Sequence, residues 1–145
     1  KTRLSFLPKG TILTPHPKEF ERLTGTFPDD HARLMAAKEF ALRHGVVLVL
    51  KGAYTAICAP DGRIYFNDTG NPGMAKGGSG DALTGIITGL RAQGLDPLSA
   101  ALLGVHAHGR AGDLAAIDLG MDGMLVSDLI EHLPQAWKKL REEVR

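Results

Sequence analysis

The segment "NPGMAKGGSGD", Asn71–Asp81, combines four glycines with a carboxylate at its end. Gly77, Gly78 and Gly80 can expose backbone N–H groups without obstruction by side chains, and glycine readily adopts positive φ. Apolar residues recur at helical spacing after the segment, so a helix is expected to begin near Ser79. A glycine loop that leads into a helix N-terminus binds anions. The segment therefore predicts a phosphate-type site, with a plain glycine turn capped by Ser79 as the alternative.

Asp81 favours the anion-site interpretation. A carboxylate in the first turn of a helix is stabilised by the helix dipole, and it can act as a general base beside a bound phosphate. The segment differs from the two common phosphate motifs. No Lys-Ser/Thr pair follows the last glycine as in a Walker A loop, and the spacing is not that of a dinucleotide-binding GxGxxG. We therefore predict an anion-binding loop with Asp81 as the candidate base.

Two further candidates follow apolar segments that are expected to form strands. Lys51 directly follows "VVLVL", a run without polar alternation that is typical of a strand buried on both faces of a parallel sheet. His16 lies in "TPHP", where two prolines stiffen the loop after a short apolar stretch. Ligands of open α/β sheets collect at the carboxyl ends of strands. Both residues can therefore contact a ligand, although a solvated strand end and an incidental loop histidine remain the alternatives.

The elements that must position these residues alternate between helices and strands. Helices are expected over "PKEFERLTG", "PDDHARLMAAKEFALRHG", the stretch after the glycine loop, residues 98–116, and a last segment capped by Ser127. Asp61-Gly62 separates two short β-type runs and predicts a hairpin. This order of elements predicts an α/β domain.

Other residues that are capable of chemistry have ordinary structural explanations. His106 and His108 resemble a metal-binding pair, but residues two apart on a helix point to different faces, so packing is the better explanation. Cys58 is expected to be a small buried hydrophobe, and Trp137 a packing residue. Close helix packing explains three glycines of the long helix: Gly104, Gly109 and Gly112.

Composition limits the classes of partner. The chain has 145 residues, 43% of them hydrophobic, and a net charge of +1 with scattered Lys and Arg, which gives no basic stripe for nucleic acid or an anionic membrane. Its longest apolar run, "VVLVL", is too short to span a bilayer. A single cysteine excludes an internal disulfide and fits a reducing compartment. Without a signal-peptide pattern at the N-terminus, we expect a cytoplasmic protein.

The order of the motifs is distinctive. "TPHPKEFERLTG", "VVLVLKGAYT", "GNPGMAKGGSGDALTGIITGL", "HAHGRAGDLAA" and "GMLVSDLIEHLP" together resemble the NAD(P)H-hydrate dehydratases, which are ribokinase-like proteins related to carbohydrate kinases. The resemblance extends from Thr11 to Pro134, and the glycine segment is its most specific part. It implies the C-terminal portion of a three-layer α/β/α domain with a mainly parallel sheet.

The resemblance implies an enzyme of metabolite repair. Such enzymes act on NADH or NADPH that has taken up water; they phosphorylate the hydroxyl of the hydrate from a nucleotide and then eliminate phosphate, which regenerates the reduced cofactor. The bacterial type, which this chain resembles, uses ADP and releases AMP and phosphate, whereas eukaryotic members use ATP. Mg²⁺ is expected as a cofactor, because polyphosphate charge must be neutralised. The expected partners are small molecules, and association into a homo-oligomer is left open.

The resemblance also implies roles for individual residues. Asp81 would lie against the hydrate and act as the base toward its hydroxyl, and His16 would contact the hydrated cofactor. The amides of residues 77–80 would stabilise the transferring phosphoryl group. No protein ligand is assigned to the metal. The implied nucleotide-binding residues are Lys51, Gly52, Ala53, Tyr54, Thr55, Gly77, Gly78, Ser79 and Gly80.

Length separates this chain from that family. Family domains are roughly twice as long, within the ordinary range of single α/β domains. We therefore expect residues 1–145 to be the C-terminal part of such a domain, without its N-terminal part. Two alternatives stay open: an ATP-dependent small-molecule kinase of the same superfamily, which would stop at the phosphorylated product, and an inactive fragment that binds a nucleotide.

Overall fold

The structure is a computed structural model that describes Leu4 and residues 6–143. The chain forms two compact units. The first, called here the sheet unit, comprises the described residues up to Asn67 together with Asp96–Leu102, and the second, the helical unit, comprises Asp68–Leu95 and the described residues from Leu103 onward. The strands and helices are β1 (Ile12–Leu13), α1 (Pro17–Thr24), α2 (Asp30–His44), β2 (Val47–Leu50), β3 (Ala56–Cys58), β4 (Ile64–Phe66), α3 (Ser79–Ala92), α4 (Pro97–Leu119) and α5 (Val126–Glu143), with one 3₁₀ turn at Pro72–Met74.

The sheet has the order β1-β2-β3-β4. β1 pairs parallel to β2, with Ile12 opposite Val47, whereas the β2–β3 and β3–β4 pairs are antiparallel. The predicted hairpin is confirmed, and Gly62 in its turn has a φ of 87°. The α/β class is confirmed as well. The described part of the sheet is mixed, because the hairpin after β2 must return antiparallel, so β2 has one parallel and one antiparallel neighbour.

The core of the sheet unit surrounds β2. All four residues of Val47–Leu50 are buried, as their unbroken apolar run predicts. Phe20 of α1 and Phe40 of α2 meet edge to face, with ring centroids 5.9 Å apart. Cys58 is fully buried in the same cluster, and this burial raises its pKa to about 11. Cys58 is therefore a neutral packing residue, as predicted.

Local signals set the ends of the first two helices. Asp29 caps α2, since its Oδ1 accepts a hydrogen bond from Ala32 N at 2.7 Å. The helix ends at Gly45, whose φ of 63° is left-handed and favours glycine. Gly25 ends α1 and donates its N–H to Glu21 O at 2.8 Å. The helices predicted from these capping residues are thereby confirmed.

Three glycines of α4 allow close packing within the helical unit, as predicted. A Cβ atom at Gly104 would lie 2.7 Å from Ile87 Cγ1, and one at Gly112 would lie 2.7 Å from Met74 Cγ. At Gly109 it would lie 2.8 Å from the carbonyl carbon of Thr69. No ordinary Cβ contact is that short, so side chains at these positions would push the neighbouring segments away from α4.

The last helix differs from its prediction at its start. Ser127 was expected to cap it, but α5 begins at Val126, so Ser127 lies inside the first turn and the cap prediction is wrong. Asp128 supplies the side-chain contact at this helix start, because its Oδ2 accepts a hydrogen bond from Leu125 N at 2.6 Å. The helix continues through Pro134 to Glu143 without being divided. None of the described helices is long and apolar enough to cross a membrane.

A histidine connects α5 to the end of α4. His132 Nε2 lies 2.9 Å from Asp118 Oδ2, and His132 Nδ1 lies 2.7 Å from Asp128 O. Both contacts favour the imidazolium, with the Asp118 hydrogen bond as the larger cause, and they raise the pKa of His132. The pair between His132 and Asp118 therefore links α5 to the last turn of α4, immediately before the connection formed by residues 120–125.

The glycine packing can be tested with two substitutions. Gly109→Ala should destabilise the protein by about 1–3 kcal/mol, because its Cβ meets the Thr69 backbone. Gly85→Ala is the matched control: Gly85 lies in the interior of α3 with nothing within 4 Å of an added Cβ. That change should stabilise the protein by up to about 1 kcal/mol through helix propensity. Denaturant unfolding of both variants measures the effects, and equal stability changes would contradict the packing account.

Candidate functional site

The glycine loop leads directly into the first turn of α3. Gly78 precedes the helix with a φ of 90°, which glycine adopts readily. The helical hydrogen-bond pattern starts with Ala82 N, which donates to Gly78 O at 3.0 Å. No side chain of the described residues caps this helix. By the geometry of an α-helix, the amides of Gly80 and Asp81 are then left without an intrahelical acceptor.

Ser79 does not cap the helix, so the Ser79 cap of the alternative interpretation is wrong. Ser79 is the first residue of α3 and is buried, and its Oγ lies 3.3 Å from Nε2 of the buried His108 of α4. The serine therefore joins the start of α3 to α4. The same contact confirms that His108 is a packing residue. Among the residues that the structure describes, no group of three or more His, Cys, Asp or Glu side chains could hold a metal ion.

The loop and the carboxylate are both accessible. Gly77, Gly78 and Asp81 are exposed, and Gly80 is partly buried. A Cβ atom at Gly77 would meet nothing within 4 Å. Asp81 lies in the first turn of α3, where the helix dipole favours negative charge. The helix start therefore offers amide donors to an anion and, next to them, a carboxylate that can accept a proton.

Asp113 of α4 fixes the beginning of the glycine segment. Its carboxylate accepts from Gly70 N and from Asn71 Nδ2, each at 3.0 Å. Asn71 Oδ1 in turn accepts from Gly73 N at 3.0 Å. Asp113 was not predicted from the sequence. The Asn-Pro pair signals a turn, but the spacing gives no means of finding a partner 42 residues away.

Lys76 fixes the middle of the segment. Its ammonium donates to three backbone carbonyls of the α4–α5 connection: Asp122 O at 3.2 Å, Met121 O at 3.4 Å, and Met124 O. No role of Lys76 was predicted from the sequence. The role is visible only when the acceptors are known, because backbone carbonyls leave no signature in a sequence.

In the sheet unit, His16 and Lys51 lie at one edge of the sheet. β1 and β2 are parallel, so the loops that follow them begin at the same edge. Lys51 N donates to Pro15 O at 3.0 Å and ties the two loops together. The predicted positions of both residues after their strands are confirmed.

Glu19 joins these two residues and was also missed. His16 is the N-cap of α1: its Nδ1 accepts from Glu19 N at 3.2 Å, and Glu19 Oε2 accepts from His16 N at 2.7 Å. Glu19 Oε1 also lies 3.1 Å from His16 Nε2, and Glu19 Oε2 lies 3.8 Å from Lys51 Nζ. The backbone hydrogen bond from His16, followed by the charge of Lys51, lowers the pKa of Glu19.

The segment after Lys51 is an exposed turn. Gly52, Ala53 and Tyr54 are exposed, and 73% of the Tyr54 surface is accessible. Thr55 closes the turn by donating its hydroxyl to Gly52 O at 3.1 Å, and Thr55 O accepts from Asn67 N at 3.0 Å. The turn therefore presents open backbone and one aromatic ring.

The structure thus divides the predicted residues into two groups. It brings His16 and the segment from Lys51 to Thr55 together in the sheet unit, and it brings residues 77–81 together in the helical unit.

Comparison with known proteins identifies the family. A family model of the carbohydrate-kinase type, described as NAD(P)H-hydrate dehydratase, matches residues 2–135. The chain is 52% identical over 135 residues to a bifunctional NAD(P)H-hydrate repair enzyme of Moorella thermoacetica, covering 92% of this chain and 26% of that enzyme. It is 42% identical over 130 residues to the ADP-dependent (S)-NAD(P)H-hydrate dehydratase of Bacillus subtilis, covering 88% of this chain and 47% of that enzyme.

Solved structures agree with this assignment. The Bacillus subtilis ADP/ATP-dependent NAD(P)H-hydrate dehydratase, co-crystallised with ATP and Mg²⁺, matches with a TM-score of 0.84 and 41% identity, covering 92% of this chain and 50% of that one. A ribokinase-like superfamily protein of Enterococcus faecalis matches with a TM-score of 0.72 and 31% identity, covering 91% of this chain and 45% of that one. The chain spans about half the length of these proteins or less. It belongs to the NAD(P)H-hydrate dehydratase family and has a ribokinase-like fold.

Proposed function

We propose that residues 1–145 form the C-terminal part of an ADP-dependent NAD(P)H-hydrate dehydratase domain. The observation that carries the proposal is the uncapped start of α3, with the exposed Asp81 in its first turn. In the proposed reaction a phosphoryl group passes from ADP to the hydroxyl of the hydrated nicotinamide, and phosphate then leaves. The products are NADH or NADPH, AMP and phosphate. The similarity to the ADP-dependent (S)-NAD(P)H-hydrate dehydratase of Bacillus subtilis and to the bifunctional NAD(P)H-hydrate repair enzyme of Moorella thermoacetica supports this assignment.

Asp81 is the proposed base. As the hydroxyl oxygen of the hydrate forms its bond to phosphorus, the bond from phosphorus to the AMP oxygen breaks. The hydroxyl proton passes to the Asp81 carboxylate, which is accessible to a substrate. General-base catalysis of this kind contributes about 10²–10⁴-fold to a rate. Phosphorylation also converts a poor leaving group into phosphate, which departs with the bonding electrons when the carbon–oxygen bond breaks. The neighbouring ring carbon gives up a proton to solvent water, and the ring double bond forms again.

The amides at the start of α3 are the proposed electrostatic partners of the phosphoryl group. Phosphoryl transfer spreads charge over the equatorial oxygens, so positioned N–H donors lower the barrier. Gly77, Gly78 and Gly80 have no side chains in the way of these oxygens, and Ser79 is turned toward His108. We assign the nucleotide contacts of the loop to residues 77–80.

The residues present fit a magnesium ion that is carried by the nucleotide. Mg²⁺ in such sites is held mainly by substrate phosphates and water, with one or two carboxylates. Asp81 is one exposed carboxylate beside the proposed phosphate position, and the described residues contain no larger cluster of metal-binding side chains. When bound, the ion would neutralise polyphosphate charge. No protein ligand is assigned to it.

In the sheet unit, we propose that Lys51–Thr55 contacts the nucleotide and that His16 contacts the hydrate. Glu19 positions the Lys51 ammonium at 3.8 Å, and the accessible face of Tyr54 suits an aromatic base. The His16 imidazole also caps α1. His16 therefore has a structural task in addition to the proposed contact with the substrate. We infer the cytoplasm as the compartment, where reduced nicotinamide cofactors and a free buried cysteine are both stable.

Asp81→Asn tests the central residue. Turnover of NADPH hydrate with ADP and Mg²⁺ should fall by about 10²–10⁴-fold, because the amide cannot accept the proton. The return of reduced-nicotinamide absorbance measures this, with ATP as the second nucleotide. Glu131→Gln, which neutralises an exposed carboxylate of α5, is the matched control and should keep full activity.

Two results would contradict the proposed reaction and its base. One is full turnover by the Asp81→Asn variant. The other is a stable phosphorylated product without regenerated NADPH, which would mean a kinase. Wild-type binding of ADP without any turnover would support the inactive-fragment alternative and contradict the assignment of activity to this chain.

His16 can be tested by separating its two roles. Asn is a good N-cap residue, so His16→Asn should keep the stability of α1, whereas His16→Ala should lose about 0.5–2 kcal/mol. Both variants should raise the KM for the hydrate if the imidazole contacts it. Unfolding and steady-state kinetics of the pair distinguish these roles, and an unchanged KM in the His16→Asn variant would limit His16 to capping.

A further inference from the structure

The ammonium group of Lys76, the lysine of the glycine segment, makes all its hydrogen bonds with backbone carbonyls of the protein. An ammonium has three N–H donors and no acceptor. In Lys76 these donors face three carbonyl oxygens, those of Met121, Asp122 and Met124. An ammonium engaged in this way has no N–H left for a phosphate oxygen. Lys76 therefore differs from the phosphate-binding lysine that its place in a glycine-rich loop would suggest.

The acceptors lie where a cation is favoured. They follow the C-terminal end of α4, where Gly120 has a left-handed φ of 77° and donates its N–H to Ala116 O at 2.9 Å. Carbonyl groups at a helix C-terminus carry partial negative charge, which attracts cations. Met124, which supplies one carbonyl, is almost fully buried in the core of the helical unit. The ammonium is thus bound to a fixed part of the unit.

A second contact brings the same two segments together. A Cβ atom at Gly73 would lie 2.7 Å from Met121 O and 2.9 Å from Met121 Cα. The glycine segment and the α4–α5 connection therefore pack at backbone distance, independently of the lysine contact.

Lys76 also sets the direction of the chain into α3. Its own carbonyl accepts from Ser79 N at 3.3 Å, which forms the turn that contains Gly77 and Gly78. One residue thus holds the α4–α5 connection through its side chain and the start of α3 through its backbone.

We propose that Lys76 is a positioning residue for the proposed phosphoryl-transfer site, and that it acts by fixing the glycine loop to the α4–α5 connection and not by binding phosphate. The positioning role rests on the proposed function, but the fixation of the loop by Lys76 can be measured without substrate. Lys76→Met, which keeps the chain length and removes the charge, should loosen residues 77–81 while leaving the fold intact. Charged hydrogen bonds of this kind stabilise by amounts equivalent to about a tenfold change in an equilibrium.

The experiment compares Lys76→Met, Lys76→Arg and Lys138→Met. Lys138 is an exposed lysine of α5 and is the matched control. Amide hydrogen exchange of Ser79 and Ala82, whose N–H groups donate to Lys76 O and Gly78 O, should be about tenfold faster without nucleotide in the Lys76→Met variant. In Lys76→Arg, whose guanidinium also donates to carbonyls, the exchange rate should be close to that of the wild type. In Lys138→Met the rate should equal that of the wild type. In an ADP titration, Lys76→Met should raise the Kd by a similar factor.

The outcomes separate the inference from the proposed function. Unchanged exchange together with lost ADP binding in Lys76→Met would overturn the inference, because it would mean a direct phosphate contact. Unchanged exchange and unchanged ADP binding would overturn it as well. Faster exchange in a protein that neither binds ADP nor turns over the hydrate would support the positioning role and contradict the proposed function alone.

Discussion

The candidate site of the helical unit depends on one feature, the first turn of α3, whose backbone N–H groups have no capping side chain in the described part of the chain. A helix N-terminus leaves backbone N–H groups that need acceptors, and in most helices a side chain supplies one. Here the position before the helix is Gly78, which has no side chain and adopts a left-handed φ. The amides therefore remain available to an external anion. Three side-chain contacts fix the segment before this turn: Asp113 accepts from Gly70 N, Lys76 donates to Asp122 O, and His108 contacts Ser79.

The sheet unit supports its candidate residues by a different arrangement. There, one carboxylate connects the elements: Glu19 completes the capping box of α1 with His16 and lies 3.8 Å from the Lys51 ammonium. Both partners follow parallel neighbouring strands, so their shared edge results from the topology of the sheet. The fully buried β2 makes this edge rigid, because displacing it would expose apolar side chains to water.

The extent to which the sequence predicts this structure depends on the range of each interaction. Local patterns predict the buried strand, the Asp61-Gly62 hairpin and the helices ended by Gly25 and Gly45, because each rests on residues within one turn or one strand pair. They also predict that small residues of α4 permit close packing. Contacts distant in sequence could not be found: Asp113 and Lys76 act on groups more than 40 residues away, and backbone acceptors have no residue signature. The predicted Ser127 cap was wrong because α5 begins one residue earlier and Asp128 accepts the Leu125 N–H, and Ser79, the alternative cap of α3, is instead buried against His108.

The central claim is that the uncapped amides of α3 bind the phosphates of a nucleotide. The most direct measurement is a titration of the ¹⁵N-labelled chain with ADP and Mg²⁺, followed by backbone amide chemical shifts. The account predicts saturable shifts at Gly77, Gly78, Gly80 and Asp81, whereas the amides of the buried Leu129 region of α5 stay unchanged. An absence of shifts at these four amides, under conditions in which ADP binds elsewhere on the chain, would contradict it.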